Sequence, residues 1–237
     1  MPYTFLTAIN NSLKRAQVIQ GATGALTTFT APAIQTDVDV MIMAWNEVIQ
    51  DIATLPILVP GLADQGTYNL TAGNKEYAIP VGAATGKQIE TVKLITNLTF
   101  KWPLGEYPGG YDKMVRDQPD PSIFQGNPMF WCINPGTNQI RYDFTPTAQT
   151  ISGAQGGAIK HNIDGAIGIN LQNPTDTFTF SDRVVDQLVD AVAMIWTRER
   201  KKGDWSRDAY MQRLSNAIRY ATKTQPRSQY GVVRRRA

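Results

Sequence analysis

Four stretches of the chain carry apolar residues at helical spacing, and the block between the second and third carries them in short alternating runs. In TFLTAINNSLKRAQ, the residues Phe5, Ile9, Leu13 and Ala16 fall on one stripe, with Thr4 placed to cap the helix. A longer stripe runs through Val38, Met41, Ile42, Trp45, Val48, Ile49, Ile52 and Leu55. It predicts a helix opened by Thr36, in a capping-box-like T-D-V-D, and closed by Pro56 and Pro60. The third helix begins at Ser181, carries Val185, Leu188, Val189, Val192 and Ile195, and runs into the basic turn RERKKG with Gly203 available as a left-handed cap. Either Asp204 or Ser206 caps a fourth, which carries Tyr210, Leu214, Ala217, Ile218 and Ala221. The short link KKGDW predicts that these last two helices lie antiparallel.

Residues 61–175 read as strands. GTYNL, KEYAIPV and QIETVKLITNLTFKW are β-branched and aromatic runs between Gly, Asn and Pro. PMFWCINP and NQIRYDFTP flank a Pro-Gly turn at 135–136, which predicts a hairpin. In the second of these, Ile140, Tyr142 and Phe144 alternate with Arg141 and Asp143, as in a half-buried antiparallel strand. AIKHNIDGAIGINL predicts one or two further strands, and residues 104–127, dense in turn formers, read as a long surface loop.

This order predicts an α+β fold. Two N-terminal and two C-terminal helices form a four-helix bundle (residues 1–60 and 176–222), because neither pair alone buries its stripes. An antiparallel β-sandwich-like block (61–175) is inserted, and a basic, extended C-terminal arm (223–237) follows.

Composition narrows the class. At 42% hydrophobic and 18% charged residues the chain is that of an ordered globular protein. No apolar run is long enough to span a membrane, and the N-terminus lacks the pattern of a secretion signal, so a cytoplasmic, membrane-free life is expected. The single Cys132 excludes an internal disulfide framework. Charge is unevenly placed: residues 198–237 hold twelve Lys/Arg against three Asp/Glu, while residues 1–197 hold eleven against seventeen. A mildly acidic body therefore ends in a basic segment, suited to an acidic or phosphate-bearing partner or else simply solvated.

Catalytic chemistry finds little to work with. His161 is the one histidine, in a predicted strand, with no serine or cysteine motif beside it. Cys132, inside FWCI, has the apolar surroundings of an inert thiol. No phosphate-binding loop or Cys/His cluster of metal-binding spacing is present, and GATGA lacks a preceding strand. Asp112, Asp117 and Asp120 have the chemistry of hard-cation ligands, but their Pro and Lys neighbours read as a solvated loop. The expectation is a protein that is not an enzyme and that uses no cofactor and no metal.

Taken together, TFLTAINNSLKRA, AWNEVIQDIATL, KEYAIPV, GNPMFWCI and KKGDWSRDAYMQRL, in this order, resemble the head-to-tail adaptor (connector) proteins of tailed bacteriophages, tail tubular protein A type. The resemblance implies a structural virion protein at the head-tail junction, assembled in the host cytoplasm. Its partners are a portal protein on one side and a tail or nozzle protein on the other. It implies a homo-oligomeric ring, a dodecamer in that family, through which double-stranded DNA passes without sequence-specific contact.

The basic segment fits that picture physically. Fixing residues 223–237 costs on the order of 15–30 kcal/mol of backbone entropy. Its large apolar groups, Tyr230, Val232 and Val233, return only about 1.5–3 kcal/mol each on burial. Order then has to come from a partner that pairs with Gln229, Tyr230, Gly231, Val232 and Val233 and offers acidic groups to Arg234, Arg235 and Arg236. The basic turn Arg198, Arg200, Lys201 and Lys202 is the second candidate site. A stand-alone nucleic-acid-binding protein using this basic region is the alternative function.

Overall fold

The computed structural model describes residues 3–20, 24–120, 123–148, 159–200 and 205–223. They divide into two units: the described residues of Met1–Leu55, Val59–Leu62 and Ile169–Ala237 in one, and of Pro56–Leu58 and Ala63–Gly168 in the other.

The first unit is helical. Helix α1 (Phe5–Arg15) opens where the Thr7 amide donates to the Thr4 hydroxyl oxygen at 3.3 Å, and it buries Phe5, Ala8, Ile9, Ser12 and Leu13. It closes in a Schellman motif: the Gln17 amide donates to the Lys14 carbonyl and the Val18 amide to the Leu13 carbonyl. Helix α2 (Gln35–Thr54) buries Val38, Met41, Ala44, Trp45, Val48, Ile49 and Ile52 along one face. Thr36 does not cap it. Ile34 stands at the cap position, and Gln35 ties the entry down by accepting from the Ala31 amide and donating to Asp39.

Helix α3 (Gly110–Asp117) lies in the other unit. Helices α4 (Asp182–Glu199) and α5 (Arg207–Lys223) complete this one. Arg183 meets Tyr220, Asp190 meets Arg213, and Arg198 stacks over Trp205, so α4 and α5 run antiparallel. Ser206 caps α5, accepting from the Ala209 amide at 3.4 Å. Gly203 and Asp204 lie outside the described residues.

Helix α4 is central to this unit. It packs against α1, α2 and α5, and α1 also touches α2. Its buried residues Val184, Val185, Leu188, Val189, Ala191, Val192, Ala193, Ile195 and Trp196 occupy more than one face, as a helix packed on several sides requires. The aromatic centre is Trp45, against Phe178 at 5.1 Å, with Phe5 meeting Phe178 and Phe29 edge-on. The Trp45 indole N–H donates to Ser12 Oγ at 3.0 Å, and Ser12 donates to the Ala8 carbonyl, so this polar pair is satisfied inside the core.

The second unit contains strands β1 (Ala63–Asn69), β2 (Glu76–Ala78), β3 (Ile89–Asn97), β4 (Trp102–Pro103), β5 (Gly105–Glu106), β6 (Phe130–Asn134), β7 (Gln139–Tyr142) and β8 (Lys160–Ile167). They form two four-stranded sheets, in the orders β1-β8-β3-β4 and β2-β7-β6-β5. Strand β8 is paired on both sides, which accounts for its nearly continuous burial from His161 to Ile167. Gly165 sits opposite the irregular stretch of β3, where a Cβ would overlap the Ile89 side chain and the Thr91 carbonyl. The Pro-Gly turn at 135–136 does close a hairpin, pairing Trp131 with Tyr142 and Ile133 with Ile140.

The expected fold class is corrected on three counts. The described residues form an α+β structure with five helices and two sheets, not a four-helix bundle with an antiparallel sandwich-like insertion. The 104–127 stretch, expected as a loop, holds β5 and helix α3 (Gly110–Asp117), which buries only Met114. That helix bridges β5 to β6, and a long crossover allows the two strands to pair in parallel, so the second sheet is not purely antiparallel. In the helical unit the helices attach to a central α4 and do not share one axis-centred core. The expected extended arm, 223–237, falls almost wholly outside the described residues.

Candidate functional site

The basic turn that ends α4 is engaged within its own unit. Arg198 grips Glu47 of α2 with both terminal nitrogens, at 2.9 and 2.8 Å, and also pairs with Glu199 at 2.7 Å. Its guanidinium lies 5.2 Å from the centre of the Trp205 ring. The Glu47 hydrogen bonds hold its pKa above the ordinary arginine value. Arg200 pairs with Asp37 at 2.9 Å, and the Trp196 indole N–H donates to the same carboxylate at 3.1 Å. Lys201, Lys202 and the segment Gln229, Tyr230, Gly231, Val232, Val233, Arg234, Arg235 and Arg236 lie outside the described residues.

Beside this turn the helical unit opens a cleft of about 690 Å3. Its charged edge is shared by three helices. Arg15 of α1 and Arg213 of α5 both pair with Asp190 of α4, at 2.6 and 3.2 Å. Val18, Ile34, Ala193 and Met194 supply an apolar wall, and Gln17 and Thr197 supply polar groups. Gln17 has a φ of 58°, in the left-handed region where a Schellman motif usually places glycine. Sequence reasoning missed this cleft. Arg15, Asp190 and Arg213 stand far apart along the chain, and each by itself reads as a solvated charge on the polar face of an amphipathic helix.

In the β unit, His161 is fully buried. It belongs to a cross-strand row: Tyr68 of β1, His161 of β8, Asn97 of β3 and Trp102 of β4 are successive partners, so their side chains share a face. The His161 Nδ1 lies 2.7 Å from the Tyr142 hydroxyl, which is itself hydrogen-bonded to Tyr68. Burial pushes the imidazole pKa down from 6.5 to about 4, so the ring is neutral at pH 7. His161 Nε2, Asn97 Nδ2 and Trp102 Nε1 have no hydrogen-bond partner among the described residues. The Asn97 oxygen is taken by the amides of Thr99 and Phe100. A second proton on His161 would add a donor to a row that already has more donors than acceptors.

The remaining sequence candidates are dispersed. Cys132 is buried 3.5 Å from Met114 Sδ, and burial pushes its thiol up to about 11, which leaves it protonated and unreactive. Asp117 accepts from the Tyr107 hydroxyl at 2.8 Å, while Asp112 lies in the first turn of α3. Asp120 also has an interaction partner. Among the described residues no group of three or more His, Cys, Asp or Glu is arranged to hold a metal ion, and no helix is long and apolar enough to cross a membrane.

Known proteins add no constraint on these assignments: no protein-family model matches the chain, and no curated protein matches it in sequence.

Proposed function

We propose that the chain is a structural virion protein, a ring-forming adaptor between the capsid portal and the tail of a bacteriophage, with segment 223–237 as its portal-docking arm. The observation that carries this reading is how the positive charge of the C-terminal region is distributed. Arg198 and Arg200, half of the expected basic turn, are held by Glu47, Glu199 and Asp37. By contrast, segment 223–237 carries Lys223, Arg227, Arg234, Arg235 and Arg236 and no acidic residue. A run of cations with no acidic residue among them therefore sits in a stretch whose own apolar content is too small to offset its ordering entropy, which favours a partner-directed arm. Repetition around a ring multiplies a weak arm into strong attachment.

The same pairing disfavours the alternative of a stand-alone nucleic-acid-binding protein. A duplex is held by many unpaired cations along one face, whereas Arg198 and Arg200, at the end of α4, are committed to carboxylates of their own unit. A genome conduit, in contrast, works best with weak and sequence-neutral contact.

Electron microscopy of the protein mixed with its portal tests the proposal. A second ring stacked on the portal is expected, and removal of residues 225–237 is expected to abolish it. Unchanged portal binding after that removal refutes the arm. Salt-sensitive DNA binding by the isolated protein, with no ring on the portal, favours the alternative.

A further inference from the structure

The cleft between α1, α2, α4 and α5 combines three features that point to a ligand. The first is charge. Two guanidiniums, Arg15 and Arg213, meet a single carboxylate, and each pairs with it through one nitrogen. Their side chains are 58% and 54% exposed, so most of both donor forks stays accessible. The second is the apolar wall beside them, formed by Val18, Ile34 and Met194. The third is Gln17. It holds a left-handed conformation in which glycine is more stable, and its residue lines the cleft. A side chain kept at an unfavourable backbone position is accounted for if that side chain has work to do there.

We infer that this cleft binds an acidic, partly apolar peptide segment of a partner protein. One ligand carboxylate lies across the Arg15 and Arg213 forks, a neighbouring apolar side chain lies on the Met194 wall, and the Gln17 amide bonds the ligand backbone. Charge complementarity selects this occupant. The basic segment 223–237 of this chain is repelled by the two arginines. A nucleic-acid backbone carries a charge at every step and finds no use for the apolar wall, which a peptide's apolar side chain covers. The inference does not rest on the ring reading and stands or falls separately from it.

The test uses the full chain and a fluorescein-labelled peptide of alternating aspartate and leucine, followed by anisotropy. Saturable binding is expected, with a matching lysine–leucine peptide failing to bind. Arg15→Gln and Arg213→Gln should each weaken binding about tenfold, the loss typical of one charge-assisted contact. Gln17→Gly separates function from folding: it should raise the melting temperature while weakening the peptide several-fold. If Arg15→Gln fails to fold, Arg15→Lys, which keeps the charge and loses the fork, is read in its place. No saturation, or affinity unchanged in both arginine variants, overturns the inference. So does a DNA duplex that displaces the peptide, or self-association of the free protein that Arg15→Glu abolishes, since each assigns the cleft to another occupant.

Discussion

His161 makes the stability of the β unit depend on pH in a way that can be isolated, because the chain has one histidine. In the unfolded chain the imidazole takes up its proton near 6.5, whereas in the fold burial delays this to about 4. Between those values the unfolded state binds more protons, so stability falls as pH falls through that window and is fully present above it. The loss is about 1 kcal/mol by pH 6, about 2 by pH 5 and about 3 by pH 4. Other groups titrate nearby and pull in both directions. Burial holds Asp143 and Asp164 above the ordinary carboxylate range, so their protonation offsets part of the loss. At Asp64 burial acts the same way but is outweighed by hydrogen bonds from Thr85 and the amides of Gln65 and Ala84, so its pKa is lowered.

A comparison with His161→Gln removes these contributions, because glutamine can still bond to Tyr142 and does not titrate. Urea unfolding of both proteins at pH 7.5, 6, 5 and 4, with amide exchange of β8 reporting on the unit, gives the difference directly. The variant is expected to be weaker by about 1–2 kcal/mol at pH 7.5 and to overtake the parent protein between about pH 6 and pH 5. Two stability curves that stay parallel from pH 7.5 to 4 would show that the imidazole is not held neutral by its surroundings, and the reasoning fails.

Three further perturbations follow from the packing. Ser12→Ala leaves the buried Trp45 N–H without its acceptor and should cost about 1–3 kcal/mol in urea unfolding, much of which a second change, Trp45→Phe, should restore by removing the orphaned donor. Gly165→Ala forces a methyl group onto Ile89 and the Thr91 carbonyl and should destabilise by about 1–3 kcal/mol, with exchange accelerated across β3 and β8. Arg198→Lys keeps the charge but loses the two-pronged grip on Glu47. Both partners are part-exposed, so the expected loss is no more than about 1 kcal/mol, shrinking further in high salt.

The sequence carried some of these features and concealed others for physical reasons. Helices α1, α2, α4 and α5 and the β6–β7 hairpin were legible because one-sided burial imprints a period on the apolar residues. Helix α3 left no such imprint: it buries Met114 alone, and its flanking glycines and prolines mimic a loop. Which strands share a sheet was also hidden. Alternation records which face of a strand is buried but not which strand it pairs with, and β4 and β5 are only two residues each. The place where Thr36 was expected to cap α2 shows a similar limit, since Gln35 does the tying from inside the helix. The cleft was the least accessible, for it depends on bringing Arg15, Asp190 and Arg213 together from three helices. The ion pairs that occupy Arg198 and Arg200 likewise join residues from distant parts of the chain.

The central position of α4 has a consequence for synthesis. Helices α1 and α2 leave the ribosome with their apolar stripes exposed, and the helix that covers them begins only at Asp182. At about 5–20 residues per second, the roughly 130 intervening residues impose a delay of about 6–25 seconds. The strands translated in that interval have all their pairing partners in hand before α4 appears. Nascent chains arrested before residue 182 are therefore where a holding chaperone would be needed most.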